Sequence, residues 1–162
     1  MVTPMRISNR RIIEIGALLL VLTPPVLVIA IKGDPLFVGA WYYLAAPVVV
    51  ISAAALVQPQ IWLLIGIALA SSLSFLAYQW VQLTAQRVEG LLGLGHLFSV
   101  SGALIAALAI AYISRRRNWE DPRGLFVAGL VAWAVGFVIA QVIVCNTVFY
   151  CGGILSPLPQ LN

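Results

Sequence analysis

The sequence predicts an all-α, polytopic integral membrane protein of five transmembrane helices, N-terminus in and C-terminus out. Three observations carry that expectation. Of 162 residues, 62% are hydrophobic and only 9% are charged, against roughly 25% charged in an ordinary soluble domain. The apolar residues fall in runs of about twenty, the length a helix needs to cross about 30 Å of hydrocarbon at 1.5 Å per residue. Basic residues cluster on alternate loops. A formal charge of +4 in a soluble chain would suggest nucleic acid, but here the excess sits in two short segments and reads as topology signalling, which removes nucleic acid as a partner. The whole chain, 1–162, is expected to form one helical domain.

Residues 1–11 carry Arg6, Arg10 and Arg11 and no acid, and hydrophobicity begins at Ile12. The apolar run is longer than a signal-peptide core and lacks a small-x-small cleavage site before Lys32, so it is expected to remain as a first span of about 12–31. Thr23-Pro24-Pro25 near its middle removes backbone donors and should kink the helix. The released carbonyls then need partners, from Thr23 or a neighbouring helix. Glu14 follows Arg10 and Arg11 at helical spacing and is expected to form an ion pair at the membrane edge.

Lys32-Gly33-Asp34-Pro35 has the composition of a turn. The second span, about 36–57, opens with Trp41-Tyr42-Tyr43, rings suited to the headgroup level, and Pro47 interrupts it. Gln58-Pro59-Gln60 makes a short hairpin into a third span of about 61–82, whose end carries Gln79-Trp80-Val81-Gln82. After a polar loop containing Gln86 and Arg87, a fourth span covers about 91–113. The charge-dense stretch from Ser114 to Gly124 separates it from a fifth, about 125–149, and a tail broken by Gly and Pro closes the chain.

Five spans place the N-terminus, the Gln58 hairpin and the arginine loop on one side. Seven basic residues lie there (Arg6, Arg10, Arg11, Arg115, Arg116, Arg117, Arg123) and two opposite (Lys32, Arg87). The asymmetry assigns the first side to the cytoplasm, in the inner (plasma) membrane of a cell.

In lipid, helices associate where small residues let backbones approach, so small side chains every fourth position mark contact faces. The fourth span carries Gly95, Ser99, Ala103, Ala107 and Ala111 at that spacing; the fifth carries Gly124, Ala128, Ala132, Gly136 and Ala140; the third has Gly66, Ala70 and Ser74. Spans three to five are therefore expected to form a tight core, with the proline-broken first two leaning on it.

Polar groups capable of chemistry are few. His96 is the lone histidine, whereas haem held between helices commonly takes two and zinc takes three or four ligands, so neither a metal nor a cofactor is expected. Cys145 and Cys151 flank the end of the fifth span. Six residues of continuous helix would separate them by about 9 Å, beyond bridging distance, so a disulfide requires the helix to end soon after Cys145. Gly93-x-Gly95 lacks a preceding strand and a third glycine and is no phosphate loop. No serine has a base or acid partner in sequence, so no catalytic residue is assigned. The topology gathers a polar and aromatic set at the outer leaflet: the rings Trp41, Tyr42, Tyr43, Trp80 and Tyr150, the amides Gln79, Gln82, Gln141 and Asn146, and His96. Neutral hydrogen-bonding groups flanked by rings suit contact with a protein, a lipid headgroup or a small ligand.

These features point to a non-enzymatic protein that acts by association, as an accessory subunit of a membrane complex or a toxin-immunity protein. Its expected partners are the bilayer and another membrane protein or further copies of itself. A small oligomeric transporter or channel is the alternative, with a membrane redox subunit behind it.

Overall fold

The computed structural model describes residues 9–36, 38–84 and 91–147, leaving aside the side chains of 9–14 and 91–93. The described chain is all-helical: α1 (Asn9–Lys32), α2 (Tyr42–Val57), α3 (Ile61–Thr84), α4 (Leu91–Arg116) and α5 (Pro122–Thr147). Four of these, all but α2, are long and apolar enough to cross a membrane. Glu14, Gln86, Tyr150 and Cys151 lie outside the described side chains.

The second helix is shorter than the expected 36–57 and begins at Tyr42, leaving 16 residues. Gly33, at φ +82, ends α1 and returns its N–H to the Ile29 carbonyl at 2.9 Å. Asp34 then prevents the next helix from starting. Its carboxylate accepts the Leu36 N–H at 3.1 Å, the Gly39 N–H at 2.6 Å and the Tyr43 hydroxyl at 2.7 Å. Side-chain capture of backbone donors competes directly with helix formation, and Gly39 at φ +89 supplies the reversal this requires.

At the opposite end, the arginine stretch is a compact turn. Asn118 adopts φ +47, the Trp119 N–H returns to the Ser114 carbonyl at 3.0 Å and the Asn118 N–H to that of Arg115 at 3.2 Å, closing α4 in a Schellman motif. Asp121 caps α5 by accepting the Gly124 N–H at 2.7 Å, and Pro122 takes the first helical position, where a missing N–H costs nothing. Arg115 Nη1 donates to the Val57 carbonyl at 3.1 Å, so the α2–α3 hairpin and the arginine turn share one end of the bundle.

The core is built on close backbone approach. A Cβ on Gly136 would meet the Gly102 carbonyl oxygen, and one on Gly102 would meet that of Gly136, fixing the α4–α5 crossing. Gly66 and Gly129 do the same for α3 and α5, facing the carbonyls of Phe126 and Leu63. Where α5 meets these helices it buries Leu125, Gly129, Trp133, Phe137, Gln141 and Cys145 at strict four-residue spacing. Helix α1 is bound more lightly, and its contact solves the proline problem. Pro25 has no N–H for the Val21 carbonyl; Ser72 of α3 donates to that carbonyl at 2.6 Å. Gln79 Nε2 adds a bond to the Pro25 carbonyl at 3.0 Å, while Thr23 bonds only within its own helix, to Leu19.

Candidate functional site

Four helices converge on His96. Its ring is fully buried and stacked on Phe75 at 4.4 Å, with Tyr42 and Tyr78 meeting it edge-on at 5.8 and 4.8 Å and Phe137 tilted against it at 5.0 Å. Thus α2, α3 and α5 each supply a ring to enclose an imidazole from α4. Offset and edge-to-face arrangements of this kind exceed simple area burial by about 0.5–1.5 kcal/mol per pair.

The hydrogen bonds fix the tautomer of a neutral imidazole. Ser74 Oγ spends its proton on the Ser71 carbonyl at 2.7 Å, leaving its lone pairs for His96 Nε2, 3.4 Å away. Nε2 therefore carries the hydrogen and Nδ1 accepts from the Tyr42 hydroxyl at 3.0 Å. One turn further along α4, Ser99 Oγ lies 2.7 Å from the Gly95 carbonyl oxygen and against Gln141 Oε1 of α5, two acceptors that share its single proton. Gln141 Nε2 donates in turn to Cys145 Sγ at 3.1 Å. Cys145 is disulfide-bonded; the expected bridge to Cys151 falls on a residue outside those described.

The ten residues expected at the outer leaflet separate into two groups. Tyr42, Tyr43, Gln79, Gln82, His96 and Gln141 are buried among the helices. Trp41 and Trp80 are exposed at 68% and 71%, and Asn146, partly exposed, donates to the Val142 carbonyl at 2.7 Å. Tyr150 lies outside the described residues. Of the residues expected at helix contacts, Gly95, Ser99, Ala103, Ala107 and Ala111 are all buried on α4. On α5, Gly136 is buried at the crossing, while Gly124, Ala128, Ala132 and Ala140 are half-buried beside the interface.

Sequence reasoning missed the residues that enclose His96. Phe75, Tyr78 and Phe137 are unremarkable as single aromatics, but Ser71-Phe75-Gln79 and Phe137-Gln141-Cys145 each repeat every fourth residue, the spacing that puts ring and amide on one helix face. Asp34, read as part of a turn, organises its whole segment.

Chemically, the arrangement joins helices. Its donors and acceptors are neutral and largely satisfied within the bundle, and among the described residues no group of three His, Cys, Asp or Glu stands close enough to hold a metal. The chain matches no protein-family model, no curated protein and no solved structure.

Proposed function

We propose that this is a non-catalytic integral membrane protein, crossing the inner (plasma) membrane five times with its N-terminus in and C-terminus out, and acting by association with another membrane protein. The observation that carries this reading is where the bundle directs its polar groups. Most interior serines and glutamines and the histidine bond to one another or to backbone carbonyls, Ser71 Oγ and Gln79 Oε1 being the exceptions, while the described charges occupy the two ends. Such a bundle offers neither a charged path for ions nor an accessible reactive pair. Its outward surface is instead apolar, with Trp41 and Trp80 exposed at one rim. Such rings serve equally to anchor at headgroups and to meet a partner.

An accessory subunit or a toxin-immunity protein fits this description. Affinity purification of the full chain in mild detergent, followed by mass spectrometry and native-mass measurement, tests it. A stoichiometric membrane partner is expected. A homogeneous homo-oligomer that conducts ions in liposomes would replace the reading with a channel, and a bound pigment or quinone would replace it with a redox subunit.

A further inference from the structure

We propose that the α4–α5 turn binds an anionic phospholipid headgroup, with the guanidinium groups of Arg116 and Arg117 as the donors to its phosphate. This inference stands apart from the association reading and needs only that the turn lie at a membrane edge.

Three neighbouring arginines have three different environments. Arg115 is engaged with the Val57 carbonyl. Arg116 donates from Nε to the Tyr112 hydroxyl at 2.8 Å, and its Cζ stands 5.2 Å from the centre of the Tyr112 ring. That leaves both Nη groups without a protein acceptor among the described residues. Tyr112 is itself half-exposed, and shares the outward face of α4 with Ile105 and Ile113. The Arg116 guanidinium is therefore held at the rim of an apolar flank, where hydrocarbon gives way to headgroups. Arg117 lines an open recess of about 340 Å³ with Asn118, Trp119 and Glu120.

No carboxylate neutralises this pair. Asp121 is occupied by the Gly124 and Arg123 N–H groups, and no ion pair forms among the described residues of the turn. A planar guanidinium matches two oxygens of a phosphodiester, and stacking on Tyr112 orders Arg116 before any ligand arrives. Two features oppose an anion: Glu120 on the recess, and the negative end of the α4 dipole. The dipole amounts to roughly half an elementary charge, which two guanidinium charges outweigh. What favours a phosphodiester headgroup over free phosphate is the apolar flank of α4 beside Arg116, where exposed Ile105 and Ile113 can receive acyl chains.

The test is native mass spectrometry of the full chain with phosphatidylglycerol and phosphatidylcholine of identical acyl chains. Phosphatidylglycerol should be retained in preference by clearly more than the roughly five-fold that diffuse attraction to one basic side chain provides. Arg116→Gln/Arg117→Gln should abolish the preference, while Arg6→Gln/Arg10→Gln, which removes equal charge from the other basic cluster, should keep it. Arg116→Lys/Arg117→Lys preserves net charge and guards against misfolding of the neutral variant; it should lose most of the preference with the planar fork. Equal losses in both glutamine variants, or full preference in the lysine variant, would reduce the effect to diffuse attraction and overturn the site. Displacement of the lipid by millimolar inorganic phosphate would overturn the lipid assignment.

Discussion

Ser72 answers a carbonyl that Pro25 leaves without its backbone donor, and this single bond ties the proline-broken α1 to α3. Its strength should depend on the proline. Hydrogen bonds between membrane helices contribute about 0.6 kcal/mol on average and up to about 1.7, so Ser72→Ala should lower unfolding stability in detergent by about 1 kcal/mol. In a Pro25→Ala background the restored N–H can serve the Val21 carbonyl, and the same Ser72→Ala change should then cost much less. A double-mutant cycle measures the difference; equal costs in both backgrounds would show that Ser72 acts through packing alone. His96 illustrates a related economy. Its two ring nitrogens are used by Tyr42 and Ser74, on two other helices, so one side chain fixes the positions of three.

Between elements, the crossings are set by missing side chains. Gly136→Ala places a methyl group against the Gly102 carbonyl and the Ala106 side chain, and should cost at least the ~1–3 kcal/mol typical of overpacking. Gly16→Ala, where a Cβ would meet nothing, should be neutral or slightly stabilising. Thermal unfolding of both variants in one detergent decides the matter, and similar midpoints would count against the crossing. How far these elements could be read from sequence depends on the signal each leaves. The long helices were legible because length and hydropathy are summed over twenty residues. The start of α2 was not, because Asp34 acts through three local bonds that leave no periodic trace. On α5 two adjacent rows repeat every fourth residue: the small row from Gly124 to Ala140 and the row from Leu125 to Cys145. The second is buried throughout, whereas Gly136 alone is fully buried in the first, and small size alone does not choose between them. The polar set around His96 was grouped by height along the helices, but height carries no information about direction, and Tyr42, Tyr43, Gln79, Gln82, His96 and Gln141 turn inward.

For the molecule as a whole, charge placement and helix packing agree on which loops share an end, since Arg115 joins the arginine turn to the α2–α3 hairpin. The proposed orientation makes a further demand. A tag fused after Asn162 should react with an impermeant label in intact cells, and a tag before Met1 should not; the reverse pattern would invert the topology. The short second helix has a consequence for the surrounding lipid. Its 16 residues rise about 24 Å, against a hydrocarbon slab about 30 Å deep. Leu44, Val48, Val49 and Leu56 are exposed along it, an apolar flank that the proposed arrangement turns to the acyl chains. In the proposed five-span arrangement, this deficit of about 6 Å calls for local thinning of the bilayer or snorkelling of flanking side chains, which would give the protein one pinched side and a bias toward membranes with short tails.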